Sequence, residues 1–339
     1  TRANSGIVHA GYDCEPGTFK ARFNVRGNAL TWELAEELDV PHRKCGSIVA
    51  APEEGLHGLE ELLAKAKANG VRAEILNREQ TLAIEPNVSD NIAASLYAPD
   101  AGVISPYQYA IALADRAVVN GVEIVTEAEV KGIRRENGVY VLETPKGEFR
   151  GRVVINCAGP SGAAINDMAG AEHFETEYRR GDYYVLDNTE GKNVSTVIFP
   201  LPTSAGKGIL VAPTADGNVL YGPTSIPTYD GDTAVTAEAL AEIRRNVPLT
   251  YARPAFNKCI RIYCGVRTII GHDFIVKKSE LAPDFYMAVG ICSPGLTSAA
   301  AIAEYLEGLL SCDVALVPKK NYVKNMPRKK RLAELSEEE

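Results

Sequence analysis

The segment Val153-Val-Ile-Asn-Cys-Ala-Gly-Pro160 constrains the fold of this chain more than any other stretch. Its first five residues form a nearly continuous apolar run, which is typical of a strand buried on both faces. The small residues Ala158 and Gly159 follow at once and open a predicted helix. Because a strand that leads through small residues into a helix lets a ligand approach the backbone, the segment predicts one edge of a binding site.

The region before this segment is predicted to contain a helix followed by an antiparallel meander. Ser105 at the N-cap position, Pro106 at the first helical position and Gln108 three residues after the cap predict a capping box and a helix over 106–120. Strands are predicted over 122–125, 129–135, 139–143 and 149–156. The Asn137-Gly138 pair is a strong hairpin signal, so the middle strands should pair antiparallel.

The rest of the chain separates into a mainly helical start, a β-rich stretch and a final α/β segment. Leucine spacing predicts helices over 30–38 and 56–68, with a strand over 46–50 between them. Short strands and turns dominate residues 183–262, with one helix over 237–245. A strand over 285–290, a turn over 292–295 and an alanine-rich helix through Leu309 follow. The order predicts a mixed α/β (α+β) protein whose first domain is completed by its last segment.

The bulk composition indicates a globular protein of two domains. Its 339 residues are 45% hydrophobic and 24% charged, which is enough for a large core. The formal net charge is −8 and basic residues cluster only at 319–331, so we expect no nucleic-acid partner. No apolar run has the length of a membrane span, and we expect a soluble, cytoplasmic protein. The seven cysteines and five histidines are scattered, so the sequence predicts no metal site.

Four short motifs occur in the order found in one group of flavoproteins. They are Arg2-Ala-Asn-Ser-Gly-Ile-Val-His-Ala-Gly-Tyr12, Ile155-Asn-Cys-Ala-Gly159, Gly265-Val-Arg267 and Ser293-Pro-Gly-Leu-Thr-Ser298. Together they resemble the FAD-dependent D-amino-acid oxidase superfamily, and within it the branch of glycerol-3-phosphate and L-2-hydroxyglutarate dehydrogenases. The resemblance implies a two-dinucleotide-binding FAD domain and a substrate domain with a large, mainly antiparallel sheet.

The resemblance also divides the chain into discontinuous domains. The FAD-binding domain is expected over 1–50, 105–175 and 271–325, and the substrate domain over 51–104 and 176–270. Residues 326–339 are expected to form a charged tail, or a linker to an iron–sulfur domain of the same parent chain.

One motif of the family does not occur in these residues. Members begin with a strand, a G-x-G-x-x-G turn and a helix that holds the FAD pyrophosphate, and the 339 residues contain no such pattern. By comparison with the family, about 40 residues, the length of one βαβ unit with its loop, are expected to be missing from the front. We expect FAD binding to be weakened for that reason.

The resemblance implies a set of contacts to FAD. The loop over 6–11 should run along the isoalloxazine ring, and amides at the start of the last helix should stabilise negative charge at the pyrimidine end of that ring. A plain capped helix would explain the same residues almost as well. The implied FAD-binding residues are Ser5, Gly6, His9, Val130, Ala158, Gly159, Gly290, Gly295, Leu296, Thr297 and Ser298.

Substrate recognition is expected to centre on Arg267, which matches the arginine that faces the substrate in the family. A guanidinium there would pair in bidentate fashion with a carboxylate or phosphate, and the alternative is a structural ion pair. His9 is a candidate base for the substrate hydroxyl, or else a ring that packs on the flavin or bonds a carbonyl. Tyr183, Lys207 and His272 are weaker substrate-side candidates, and each has a structural alternative.

Three functional hypotheses remain open on the sequence. The first is FAD-dependent hydride transfer from sn-glycerol 3-phosphate to flavin N5, and the second is the same chemistry on L-2-hydroxyglutarate. The third is a catalytically silent fragment that cannot hold FAD. Either enzyme would bind a small anionic substrate and deliver electrons to an unidentified acceptor. Association with the periphery of a membrane through partners is compatible with either.

Overall fold

The computed structural model describes residues 3–202, 208–229, 231–326 and 335–336. Within these residues the chain forms seven α-helices: α1 (Phe19–Glu37), α2 (Leu56–Ala68), α3 (Arg78–Ile84), α4 (Pro106–Val119), α5 (Gly162–Met168), α6 (Ala237–Asn246) and α7 (Gly295–Ser311). The strands in the first half are β1 (Ile7–Val8), β2 (His42–Arg43), β3 (Ser47–Ala51), β4 (Glu74–Asn77), β5 (Ala94–Ala98), β6 (Gly102–Ile104), β7 (Gly132–Glu136), β8 (Val139–Thr144), β9 (Gly147–Gly151) and β10 (Val154–Asn156). The strands in the second half are β11 (Glu177–Leu186), β12 (Val197–Pro200), β13 (Leu210–Pro213), β14 (Val219–Gly222), β15 (Ile226–Thr228), β16 (Cys259–Ile269), β17 (Ile275–Lys278) and β18 (Phe285–Val289).

The described strands form four sheets, of which the largest is mainly antiparallel. Its nine strands follow the order β15-β11-β14-β13-β12-β3-β5-β4, with β16 paired to β11. The β3–β12 pair is parallel, and the other pairs are antiparallel. The three smaller sheets are β1-β6-β2, β10-β18-β17 and the meander β7-β8-β9. This architecture is the mixed α/β fold with a large antiparallel sheet that the sequence predicts.

The nine-stranded sheet is buried on both faces because successive residues of its central strands enter different cores. In β3, Val49 and Ala51 pack with Leu59 and other residues of α2 on one face. Ile48 and Ala50 pack on the other face with Ile243 of α6. Side chains in a strand alternate between faces, so a strand covered on both sides must be apolar at every position. This explains the unbroken Ile-Val-Ala-Ala run in β3.

Helices α1 and α7 pack so closely that a glycine is needed between them. A Cβ atom on Gly27 of α1 would lie 2.1 Å from the Thr297 carbonyl oxygen and 2.9 Å from Ser298 Cα. The start of α1 is fixed by Asp273, whose two carboxylate oxygens accept hydrogen bonds from the backbone amides of Phe19 and Lys20. This packing anchors the first and last parts of the chain to each other.

Two helix predictions need correction. Helix α1 begins at Phe19 rather than near Leu30, because its first half packs through Asn24 and Gly27, which give no apolar periodicity. Helix α4 is confirmed over Pro106–Val119, but the capping box at Ser105 does not form. The Ser105 hydroxyl is buried without a hydrogen-bond partner among the described residues, and the Gln108 amide donates to the Tyr107 hydroxyl instead.

Two strand predictions are also wrong. Residues 122–125 do not form a strand and are exposed, because no strand in the described part of the chain pairs with them. Among the described strands β10 pairs with β18 alone, which places it at the edge of its sheet, and Ile155 is 45% exposed rather than buried. The hairpin at Asn137 and Gly138 is confirmed: both residues have a positive φ, and β7 pairs antiparallel with β8.

The predicted domain boundary at residue 50 falls within a strand of the large sheet. The sequence predicts that 1–50 belongs to the FAD-binding domain, whereas β3 over Ser47–Ala51 lies between β12 and β5 in the nine-stranded sheet. The division into an FAD-binding and a substrate domain stays a prediction. The predicted tail over 326–339 falls largely outside the described residues.

A glycine-to-alanine pair tests the α1–α7 contact. We expect Gly27→Ala to lower the free energy of unfolding by about 3 kcal/mol, because the new methyl group would meet backbone atoms that cannot move freely. The matched control is Gly308→Ala in α7, where a Cβ meets no atom within 4 Å. Since alanine favours helix, that change should stabilise by about 0.5–1 kcal/mol. Chemical denaturation measures both, and equal effects of the two substitutions would contradict the contact.

Candidate active site

The residues 3–9, the connections beside β10 and β14, and the start of α7 surround a cavity of about 640 Å³. Strands β11 and β16 of the large sheet form one of its walls. Of the residues predicted from the sequence, the following line this cavity: Ser5, His9, Gly159, Tyr183, Arg267, Gly295 and Leu296. The fold therefore brings together predicted residues from both ends and the middle of the chain.

Arg267 lies on β16 and is held by neutral backbone groups. Its Nη2 atom donates to the carbonyl oxygens of Arg180 at 3.2 Å and Thr224 at 2.5 Å. These are the hydrogen bonds that Arg267 makes within the described residues, and neither acceptor is a carboxylate. The structural ion pair considered from the sequence therefore does not form with any described carboxylate. A guanidinium with remaining N–H donors at a cavity wall is suited to bind an anion.

Tyr183 forms the wall beside Arg267. Its ring stacks on that of Tyr263, with 4.8 Å between the ring centroids. Burial raises the pKa of the Tyr183 phenol, although the charge of Arg267 and a hydrogen bond with Ser5 act in the opposite direction. Tyr183 therefore keeps its proton near neutral pH and presents a neutral hydroxyl rather than a phenolate.

His9 follows β1, and its backbone is fixed on both sides. Its amide donates to Thr297 Oγ1 at 3.0 Å, and its carbonyl accepts from Asn28 Nδ2 at 3.0 Å. The imidazole ring lies at the cavity wall, with its centroid 5.8 Å from that of Phe199. An imidazole in this position can accept a proton from a bound hydroxyl group near neutral pH.

Small residues and a helix start form the part of the cavity that fits a flavin. Helix α7 begins after Pro294, whose side chain has no atom that could cap the helix amides. A Cβ on Gly295 would lie 2.8 Å from Ile291 Cγ2, so only glycine leaves this turn unobstructed. A Cβ on Gly159 would meet no atom within 4 Å, so the backbone there is open to a ligand. Backbone amides at a helix start favour negative charge, as reduced flavin carries.

Several other predicted residues lie outside the cavity wall. Thr297 and Ser298 are fully buried, and the Thr297 hydroxyl bonds the His9 amide and, at 3.4 Å, the Ile7 carbonyl. The side chain of His272 is exposed. Also absent from the wall are Gly6, Val130, Ala158 and Gly290. Lys207 lies outside the residues that the structure describes. The roles proposed for these residues stay predictions.

Part of the cavity wall consists of residues that the sequence does not predict. Thr224 and Ser225, in the connection from β14 to β15, line the cavity beside Arg267. Phe199, Ile209 and Leu210 supply an apolar wall. The Gly222-Pro223 pair signals a turn, but only the pairing of β11 with β14, β15 and β16 shows that this turn reaches Arg267.

A second cavity, of about 530 Å³, lies beside Trp32, Arg72 and Asp100, and its wall contains none of the predicted site residues. Among the residues that the structure describes, no group of three or more histidine, cysteine, aspartate or glutamate side chains could hold a metal ion. In the same part of the chain, no helix is long and apolar enough to cross a membrane.

Comparison with known proteins identifies the class. The model of the family described as DAO, FAD dependent oxidoreductase, matches residues 1–309. The chain therefore belongs to this family, and it is an FAD-dependent oxidoreductase. Its residues around the cavity fit the flavin that the family uses.

Three individual proteins show which members of the family this chain resembles. The chain is 39% identical over 348 residues to glycerol 3-phosphate dehydrogenase from Caloramator mitchellensis, covering 100% of this chain and 72% of the relative. The structure of dithionite-reduced L-alpha-glycerophosphate oxidase from Mycoplasma pneumoniae with FAD bound matches with a TM-score of 0.90 and 31% identity, covering 96% of this chain and 88% of that chain. L-2-hydroxyglutarate dehydrogenase from Escherichia coli strain UMN026 is 30% identical over 234 residues, covering 68% of this chain and 55% of the relative.

The Thr297 hydroxyl should fix the segment that carries His9. We expect Thr297→Val to lower the free energy of unfolding by about 2 kcal/mol, because the buried His9 amide would lose its acceptor. Thr297→Ser keeps the oxygen and is the matched control, so its cost should be clearly smaller. Thermal and chemical unfolding of the three proteins would decide. A valine variant as stable as the parent, or a serine variant clearly less stable than the valine variant, would contradict the role of the hydroxyl.

Proposed function

We propose that this enzyme oxidises sn-glycerol 3-phosphate at C2, the secondary hydroxyl-bearing carbon adjacent to the carbon that carries the phosphate ester. The observation that carries the proposal is the Arg267 guanidinium at the cavity wall, held by carbonyl oxygens and paired with no described carboxylate. A small anion is the ligand that such a group recognises best. The similarity to a glycerol 3-phosphate dehydrogenase and an L-alpha-glycerophosphate oxidase supports a phosphate ester as that anion.

The chain's own residues supply binding and proton transfer in this proposal. Arg267 binds the phosphate oxygens and sets the orientation of the substrate. The Tyr183 hydroxyl donates a hydrogen bond beside that charge. Phe199, Ile209 and Leu210 exclude water from the apolar side of the cavity. His9 accepts the proton of the substrate hydroxyl as the C–H bond is broken.

FAD, when bound, supplies the acceptor for the hydride that leaves the carbinol carbon. The residues that would hold its ring are those at the cavity wall next to Ser5, Gly159, Gly295 and Leu296. Pre-set amides at the start of α7 would stabilise the charge that reduction brings.

L-2-hydroxyglutarate is the second candidate substrate. A relative with this activity is 30% identical over 68% of this chain, and a guanidinium binds a carboxylate as readily as a phosphate. We further propose a separate electron acceptor, an iron–sulfur partner domain and a cytoplasmic location. Cell fractionation and reconstitution with oxygen or a quinone as acceptor would test them.

Anaerobic reduction of the bound flavin tests the proposed substrate. We expect sn-glycerol 3-phosphate to bleach the visible absorption of the FAD-loaded protein, with L-2-hydroxyglutarate at least about tenfold less effective in kcat/KM. The matched control is Arg267→Ala, which should retain FAD and lose most of its response to the phosphate ester. Faster bleaching by L-2-hydroxyglutarate would identify that compound, and not sn-glycerol 3-phosphate, as the substrate. A colourless protein that takes up no FAD would favour the hypothesis of a silent fragment.

A substitution at His9 tests its role as proton acceptor. We expect His9→Asn to lower kcat by about a hundredfold or more, since general bases contribute on that order, with a smaller change in KM. The pH profile of kcat should lose the limb in which activity rises as an imidazole is deprotonated. A variant with the parent's pH profile would contradict the role of His9 as a base and favour a ring that only packs on the flavin.

A further inference from the structure

Thr224, which lines the cavity, is attached to Asp182 by a clamp of three hydrogen bonds. The Thr224 hydroxyl donates to Asp182 Oδ2 at 2.7 Å and accepts from the Asp182 amide at 2.9 Å. The Thr224 amide donates to the Asp182 carbonyl at 3.4 Å. Both residues are fully buried, with 0% of their surface exposed. Hydrogen bonds to a buried carboxylate are strong and leave little freedom of movement.

The clamp continues to the substrate anchor. The carbonyl oxygen of the same Thr224 accepts from Arg267 Nη2 at 2.5 Å, and the Arg180 carbonyl, two residues before Asp182 on β11, accepts from the same nitrogen. Arg180 is itself buried and bound to Asp232 and to the Thr236 hydroxyl. Both acceptors of the Arg267 guanidinium therefore belong to residues that cannot shift independently.

Gly181 provides the space in which the guanidinium lies. It sits on β11 between Arg180 and Asp182, and a Cβ there would be 2.6 Å from Arg267 Nη2 and 2.7 Å from Pro223 Cβ. Its φ is not in the left-handed region, so glycine is required here by space rather than by backbone conformation. Any side chain at this position would push the guanidinium away from the two carbonyls.

We propose that Thr224, Asp182 and Gly181 are positioning residues that fix the plane of the Arg267 guanidinium, so that an anion is bound by its Nε and Nη1 donors. With Nη2 held by two carbonyls, the orientation of the planar group is set, and its other N–H donors are directed by that orientation. The inference rests on the proposed function only for the identity of the substrate. The fixed donor geometry applies to any phosphate-like anion.

A double-mutant cycle between Thr224 and Arg267 tests the inference. The four FAD-loaded proteins are the parent, Thr224→Val, Arg267→Ala and the double variant. Three quantities are measured: the Kd of inorganic phosphate by calorimetry, and kcat and KM for sn-glycerol 3-phosphate. If Thr224 acts through Arg267, Thr224→Val weakens phosphate binding about tenfold in the parent and less than about twofold in the Arg267→Ala background. The kinetic effect should fall mainly on KM.

Three further variants separate positioning from general damage to the fold. Thr224→Ser keeps the hydroxyl and should recover most of the lost affinity. Gly181→Ala removes no hydrogen bond of the clamp yet displaces the guanidinium, so it should weaken phosphate binding about as much as Thr224→Val. Thr250→Val is the matched control, because its hydroxyl is buried without a partner among the described residues. It should leave the Kd of phosphate unchanged.

The outcomes distinguish this inference from the proposed function. Equal effects of Thr224→Val in both backgrounds, or a Gly181→Ala variant with the parent's Kd, would overturn the positioning role. A parent protein that does not bind phosphate would also overturn it. Coupled phosphate binding without flavin reduction by sn-glycerol 3-phosphate would uphold the positioning role and reject the substrate.

Discussion

The contact between α1 and α7 is the constraint on which the candidate active site depends. Gly27 allows the α7 backbone at Thr297 to approach α1, and Thr297 in turn binds the backbone at His9. The helix start that would face the flavin and the loop that carries His9 are thus parts of one packed unit. The second unit is the large sheet, which presents Arg267 and Tyr183 to the same cavity. A reaction in this cavity therefore requires that the helix pair and the large sheet keep a fixed position relative to each other.

Much of the architecture could be predicted from local patterns. The limits of α2 and α4, the hairpin at Asn137 and Gly138 and the β-rich second half follow from periodicity, proline and glycine positions and turn chemistry. The first half of α1 could not be predicted, because buried polar and glycine positions such as Asn24 and Gly27 are determined by a partner helix distant in sequence. The exposure of Ile155 could not be predicted either, since an apolar run does not say which strands flank it.

Some residues of the candidate site can be predicted from the sequence and others cannot, for a related reason. His9 and Arg267, which stand out in the sequence as a histidine and an arginine within motifs, both line the cavity, while their roles stay predictions. Thr224 gave no signal, because its importance lies in a carbonyl and a hydroxyl whose partners are determined by the pairing of β11 with its neighbours. A sequence identifies charged groups readily and identifies the neutral groups that hold them only after the strand pairing is established.

The hydrogen bond from the His9 amide to Thr297 joins residues 288 positions apart in the chain. During synthesis on a ribosome, His9 emerges long before α7 has been made. Until then the His9 amide lacks its hydrogen-bond acceptor, Thr297. Long-range contacts of this kind form late and slow the folding of a chain. The cavity that His9 and the start of α7 line together therefore cannot be complete before α7 has been made and has packed against α1.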